Sequence, residues 1–431
     1  MWQAHCVLVM KPQEISNGLV LRNASSGDIP ALLEHFRSVH GIGAIDELRV
    51  MLEHYPRFTW EDSFVIVNPE SGEIASCVIL LQNSWVLEGV QFPTVEMEAV
   101  GTLKDYRYRG QIRLLNGAFE NRVSEIQPVF QAIAGIPNFY RNFGYEFAAN
   151  LGGGYSVAPS LIPRLPNGEE EPVSFETVTS QNFNEFIQYR ETYQARNTWN
   201  RTWRRTLHSE DSAYLIYEPS SEEQESFYFY LIKEQSKIVG VFYLARWEKR
   251  IDVVELYLDD YRHLDAVLRF TSRKSDEWSG IPFRVIPPNQ AQVREYLRLR
   301  SQVKSINRYA WYIKIPSIPR FIRTMAPLLS RRLKNTEFHE FTGELMITDY
   351  KKGYTLSFEN GKFKKITNAT DKDPAMYHLR MSWGALTRLL MGYETFDSLA
   401  SHEPDATCSS FMQPLVRLLF PQLEANVDPY Y

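Results

Sequence analysis

At 431 residues the chain is too long for one hydrophobic core, and its length predicts roughly two to four domains. Its 44% hydrophobic and 23% charged residues are the balance of a globular protein, and a formal charge of −5 excludes the basic excess that non-specific nucleic-acid binding needs. Three scattered cysteines, Cys6, Cys77 and Cys408, form no Cys-x-x-Cys pair, which suits a reducing compartment and offers no zinc site.

In chain order, residues 19–23 read as a strand. Residues 26–40 read as a helix, because Ser and Asp precede Ile29, Leu32, Leu33 and Phe36 at helical spacing. Strand runs follow at 64–68 and 74–81, joined by the turn Glu70-Ser71-Gly72, and at 94–102. A helix is expected from about Gly110 to Ser124, then a strand over 128–134, a short helix around Phe139 and a strand from Tyr145. Such alternation predicts an α+β sheet with mixed pairing. No basic n-region precedes the apolar stretch at the start, and no run reaches the ~18 apolar residues of a membrane span. A cytoplasmic protein without a membrane partner is expected.

A Gly- and Pro-rich stretch from Gly152 to Pro172 marks a boundary. Beyond it the pattern repeats, with a hairpin at 227–232 and 238–244 and a strand at 253–258. Leu258-Asp259-Asp260-Tyr261-Arg262 matches Leu103-Lys104-Asp105-Tyr106-Arg107 at four of five positions, at the end of the equivalent strand, which points to duplication. From Ser317 a third unit begins. It opens with a basic amphipathic helix over 318–333, and the basic run from Arg320 to Lys334 reads as a solvated face. A meander follows at 341–348, 354–358 and 362–366 with an Asn360-Gly361 turn, and helices at 383–391 and 411–420 close it.

The strongest chemical signal is Ala99-Val100-Gly101-Thr102 followed by Arg107-Tyr108-Arg109-Gly110-Gln111-Ile112. A strand ends, a basic turn follows and a helix begins at Gly110. Its first N–H groups and positive dipole end suit a phosphate, Gly110 lets the backbone approach closely, and Arg107 and Arg109 add charge-assisted bonds. The second copy has Leu264-Asp265 where the first has Arg109-Gly110, so it has lost the site. Downstream, Tyr140 lies in Asn138-Phe139-Tyr140-Arg141-Asn142-Phe143-Gly144-Tyr145, either as a packed aromatic or as a phenol aimed at the strand crevice. Glu96 and Glu98 alternate with Val100 and Thr102 on one strand face, and each is either a base or a solvated carboxylate. The nine histidines show no metal-ligand spacing.

Val-Gly-Thr-x4-Arg-x-Arg-Gly followed by Phe-Tyr-x3-Gly-Tyr resembles the GCN5-related N-acetyltransferase (GNAT) superfamily, and the three-part layout resembles its enhanced intracellular survival (Eis) family. The resemblance implies an α+β fold of two tandem GNAT-like units plus a small sterol-carrier-like domain. The units would span 1–155 (catalytic), 156–316 (degenerate) and 317–431 (sterol-carrier-like). It implies acetyl-CoA as co-substrate, with Val100 and Thr102 on the pantetheine arm and Arg107, Tyr108, Arg109, Gly110, Gln111 and Ile112 on the pyrophosphate. Ile112 departs from the superfamily's Gly/Ala, as Eis-like proteins do. Tyr140 would be the general acid and the α-carboxylate of Tyr431 the general base, with Glu96 or Glu98 as rival bases. No metal is expected. The partner would be a small-molecule or peptide amine, and the protein a homo-oligomer such as a hexamer. Trp60, Phe64 and Trp85 are expected to line the acceptor pocket between the units. The alternatives are a lipid-binding protein carrying a relic transferase, and a CoA-binding protein without turnover.

Overall fold

The computed structural model describes residues 10–42, 44–196, 202–216, 226–247, 249–286, 291–299, 304–369, 373–423 and 427. Cys6 and Tyr431 lie outside them. The expected α+β architecture is present, as three mixed sheets with flanking helices.

The first sheet runs β1 (Gln13–Glu14), β2 (Val20–Asn23), β3 (Ser63–Val67), β4 (Ile74–Leu87), β5 (Val90–Thr102) and β6 (Phe130–Ile133). A strand from far downstream, Tyr309–Lys314, comes next, and β7 (Glu146–Leu151) ends the row. β1 to β5 are antiparallel neighbours, whereas β5 and β6 are parallel. Strand alternation divides the two faces. Ile79 and Leu81 join Leu32 and Phe36 of α1 (Ile29–His40) and Leu48 and Met51 of α2 (Ala44–His54). Val78 and Leu80 join Leu115, Phe119 and Val123 of α3 (Gln111–Ile126).

The second sheet repeats the first. Strands Ser226–Glu234, Lys237–Trp247 and Arg250–Leu258 are antiparallel neighbours, and the last pairs in parallel with Phe283–Val285. Both units carry the same two-for-one bulge on the strand before the parallel pair. Ala99 (φ 50°) opens it in β5 and Glu255 (φ 46°) in the second unit. The α1/α2 face of the first sheet and one face of the second share a single apolar core.

The two sheets exchange strands reciprocally. β8 (Gly154–Ser156) leaves the first unit and inserts between Phe283–Val285 and Lys304–Ile306 of the second. Tyr309–Lys314 returns the favour, inserting between β6 and β7. The Gly-rich stretch read as a boundary is the crossover itself. Gly154 has φ 108°, and a Cβ there would collide with the Val285 carbonyl, so only glycine makes the passage.

The C-terminal sheet has the expected meander, Gly343–Thr348, Gly353–Glu359 and Lys362–Ala369, with Asn360 and Gly361 both at positive φ in its turn. Helix Ile318–Leu333 spans the residues expected, and Arg323 and Arg331 are exposed as expected, but one basic residue departs from that face. Arg332 is buried and donates to the Leu419 carbonyl (2.6 Å) and to Glu88 Oε1 (2.9 Å). The helix is wedged between two layers: Phe321 packs 5.6 Å from Phe92 of β5, and Ser330 Oγ accepts from the Phe363 N–H of the C-terminal sheet. Leu345, Leu356, Leu386, Leu389, Leu415 and Leu419 fill that unit's interior with its own side chains. No helix among the described residues is long and apolar enough to cross a membrane.

Candidate active site

β5 and β6 pair at only three positions, Thr94 with Phe130, Val95 with Gln131 and Glu96 with Ala132. Past Glu96 the Ala99 bulge turns β5 away and a crevice opens between the strands. The bulge also corrects the expected alternation. Glu96 and Glu98 do not share a face with Val100 and Thr102, because the extra residue inverts the pleat. Val100 packs with the core under α3, while a Cβ on Gly101 would meet His35 Nε2 at 2.8 Å and Val39 on α1 at 3.1 Å. Thr102 is tied toward α3, its Oγ1 hydrogen-bonded to Ser76 Oγ at 2.9 Å.

Eight residues separate Thr102 from Gln111. Arg107 Nε donates to the Thr102 carbonyl at 3.1 Å, and the Arg109 guanidinium lies 5.6 Å from the Tyr106 ring. Tyr106 is held by Glu73 at 2.8 Å, and Tyr108 is fully exposed with φ 65°. Gly110 caps α3 with φ 76° and no side-chain bond, and a Cβ there would meet nothing within 4 Å. The first turn of α3 therefore opens onto free space flanked by two exposed arginines, a surface that fits a diphosphate. Gln111 contributes only its main chain, since its buried carboxamide accepts from Ser76 Oγ. Ile112 is half-buried against the same core as Val100.

Tyr140 stands across the crevice in a short 3-10 helix, Phe139–Phe143, and is buried at 5% exposure. Its ring lies on Gly135, where a Cβ would come under 3.0 Å of Cδ2 and Cε2 and 3.1 Å from Cζ. Tyr145, Tyr312 and Phe139 surround it at centroid distances of 6.2, 5.7 and 5.1 Å. Burial, then the negative field of Glu98, raises its phenol well above the ordinary value, so the proton stays on at neutral pH. The hydroxyl makes no hydrogen bond among the described residues.

Glu96 is occupied. It is 1% exposed, takes Trp85 Nε1 at 2.8 Å and forms an ion pair with Arg205 from the strand Trp203–Arg205, which lies along the edge of β4. Glu98 is half-buried beside Tyr140. Tyr431 lies outside the described residues; Val427, four residues before it, is anchored. Its N–H donates to the Asn150 carbonyl of β7 at 3.0 Å, and its carbonyl accepts from Trp311 Nε1 at 2.6 Å. Of the aromatics expected in an acceptor pocket, Phe64 and Trp85 are core residues at 3% and 0% exposure, and Trp60 packs 5.0 Å from Phe58. Their sequence positions carried no sign of which strand face they occupy.

In the second unit the match of Leu264-Asp265 to Arg109-Gly110 is corrected. Only five residues separate Leu258 from Leu264, and Leu264 is the first helical residue, equivalent to Gln111. The phosphate loop is shortened rather than substituted, and Asp265 accepts from the Tyr296 hydroxyl at 2.7 Å. Sequence reasoning missed Gly135, Ser76, Tyr309 and Tyr312. A glycine directly after β6 was the one available signal; the two tyrosines arrive on the exchanged strand, with no local trace in sequence. Among the described residues no group of three or more His, Cys, Asp or Glu is placed to hold a metal ion.

Residues 20–148 match the family described as acetyltransferase (GNAT) domain. No curated protein matches the chain. Among solved structures, a GCN5-related N-acetyltransferase from Anabaena variabilis aligns with 95% of this chain and 99% of its own at 16% identity and TM-score 0.68. One from Kribbella flavida aligns with 96% and 98% at 15% identity and TM-score 0.67. Eis1 from Mycobacterium abscessus aligns with 94% and 99% at 12% identity and TM-score 0.58. At these identities the likeness is one of fold.

Proposed function

We propose that this chain, whose residues 20–148 form a GNAT acetyltransferase domain, is an acetyl-CoA-dependent N-acetyltransferase acting directly on a primary amine of a small molecule or peptide. The observation that carries the reading is the parting of β5 from β6 after Glu96, with the open Gly110 end of α3 at one side and the protonated Tyr140 at the other. Acetyl-CoA supplies the acetyl group as a thioester. Arg107, Arg109 and the main chain of Gly110, Gln111 and Ile112 would hold its diphosphate, and the main chain of Val100 and Thr102 its pantetheine arm. Tyr108 belongs to the same diphosphate loop.

Tyr140 keeps its proton until sulfur leaves, then donates it as the C–S bond breaks. The base is the α-carboxylate of Tyr431, which takes the amine's proton. In support, Val427 is hydrogen-bonded to Asn150 of β7 and to Trp311 of the exchanged strand, in the same sheet as β5 and β6. The engagement of Glu96 by Arg205 and Trp85 leaves Glu98 as the rival base. We assign the units to 1–155, 156–316 and 317–431, each of the first two lending a strand to the other, with a homo-oligomer as the working state and the third unit sterol-carrier-like in layout.

The test is thiol release from acetyl-CoA across a panel of amines, with wild type, Tyr140→Phe and a chain extended by two residues past Tyr431. Loss of turnover with intact CoA binding in both variants supports both roles. Full turnover in the extended chain moves the base to Glu98, and absence of CoA binding in wild type sinks the transferase reading.

A further inference from the structure

Where the two sheets exchange strands lies a cavity of about 310 Å³, walled by Gly152 and Gly153 on one crossover and by Tyr309 on the other. At its floor is Asp252, 3% exposed. Its carboxylate accepts from Arg284 Nε (2.6 Å) and Nη2 (3.0 Å), from Arg250 Nε (3.2 Å) and from Trp247 Nε1 (2.9 Å). Four donors saturate the two oxygens, so Asp252 has no capacity left for a cation. Two guanidiniums share one carboxylate, which leaves an excess positive charge facing the cavity. Their remaining terminal N–H groups make no hydrogen bond among the described residues.

The first unit shows what the closed version of this position looks like. Glu96 and Asp252 each stand three residues before their unit's bulge, Ala99 and Glu255. Arg205 from the strand Trp203–Arg205 seals Glu96, and the fully buried rings of Trp85 and Trp203 pack beside it. At Asp252 the arginines come from the unit's own strands, Arg250–Leu258 and Phe283–Val285, and a cavity remains beside them. Its rim also touches the residue that supports the Tyr140 ring. Tyr309 on its rim donates to the Gly135 carbonyl at 2.5 Å, and Gly135 is the residue on which the Tyr140 ring lies.

The geometry points to a carboxylate-binding subsite formed by Arg250 and Arg284, held in aim by Asp252, which selects acceptor amines that carry a carboxylate at their far end. This rests on the transferase reading above. Trp247 and Tyr243 supply apolar walls for the spacer between the acceptor's two ends. The second unit, which has lost its phosphate loop, thereby contributes the acceptor's anchor while the first contributes the reaction.

The experiment uses linear ω-amino acids of about three to eight carbons and the matching ω-amino amides, with the full chain and its Arg250→Gln variant. Arg250 is the half-exposed partner, so its loss spares the fold better than loss of the more buried Arg284. Expected is a KM for the best amino acid about ten- to a hundredfold below that of its amide, the range for a charge-assisted contact. Arg250→Gln should remove that preference and leave the acetyl-CoA KM and the amide's KM unchanged. Equal KM for acid and amide in wild type overturns the proposal. So does an Arg250→Gln effect of equal size on both, which assigns the arginines to the fold or to the chain's own tail. Calorimetric binding of the same probes in the presence of CoA separates the two readings. Acid bound at least tenfold tighter than amide without any turnover keeps the subsite and sinks the transferase; no difference in binding sinks the subsite whatever the turnover.

Discussion

Gly135→Ala places one methyl group against the ring on which the proposed chemistry turns. The new Cβ would stand under 3.0 Å from Tyr140 Cδ2 and Cε2, separations that real Cβ atoms do not show, so the ring must retreat by roughly 1 Å or more to regain ordinary contact near 3.5–4.0 Å. Retreat is hindered on every side by Phe139, Tyr145 and Tyr312. Overpacking of this kind costs about 1–3 kcal/mol of stability. A misplacement of ~1 Å in a reacting group costs on the order of a hundredfold in rate. Expected, then, is a folded protein with a modestly lowered Tm, a kcat for acetyl transfer down about a hundredfold and an acetyl-CoA KM near wild type, because the Gly110 loop is across the crevice. In a Tyr140→Phe background the same substitution should cost kcat little more, since the hydroxyl it misplaces is already gone. Wild-type kcat in Gly135→Ala, or full additivity of the two losses, refutes the argument that Tyr140 acts from this position.

Arg107→Ala and Arg109→Ala should each raise the acetyl-CoA KM several-fold to tenfold with kcat nearly unchanged, and high salt should mimic them; a kcat defect instead would place the loop in the chemistry. Gly110→Ala forces φ 76° on a residue with a Cβ, a strain of about 1–2 kcal/mol that should appear in CoA affinity and in Tm. Glu96→Ala takes a buried carboxylate away from Arg205 and from Trp85 Nε1, for a destabilisation of about 3–5 kcal/mol by urea unfolding; a change under 1 kcal/mol would show that water reaches the pair. Burial holds the His35 imidazole below its ordinary value, so the unfolded chain takes up a proton near pH 6.5 where the folded chain does not. Its stabilising contribution is complete above that pH and is lost as pH falls below it, so Tm should drop between pH 7.5 and 5.5, and less steeply in His35→Gln.

The elements nearest in sequence were the legible ones. The 318–333 helix, the Asn360-Gly361 turn and the strands of both hairpins follow from periodicity and turn chemistry, which act over a few residues. So did the loop from Arg107 to Gly110 and the Tyr140 segment. What periodicity misplaced came from irregularity or from distance. A single αL residue, Ala99, inverts the pleat and moves Val100 and Thr102 away from the face of Glu96 and Glu98. Trp85 and Phe64 have no sequence mark that tells an inward from a pocket-facing aromatic. Arg332 reads as surface because its partners, Glu88 and the Leu419 carbonyl, lie far away in the chain. The exchanged strand Tyr309–Lys314 could not be assigned to the first sheet by any local rule, and it brings Tyr309 and Tyr312 to Tyr140.

That exchanged strand also sets a timetable for the nascent chain. β6 and β7 emerge from the ribosome early, yet the strand that joins them is completed only at Lys314, about 160 residues after Leu151. At ~5–20 residues per second the wait is roughly ten to thirty seconds, during which β6 and β7 expose unpaired edges. Neither half can therefore mature alone, and a gene fragment ending near residue 155 would be expected to yield aggregate rather than a small working enzyme. The duplicated second unit, stripped of its phosphate loop, would be retained for the strand it hands back.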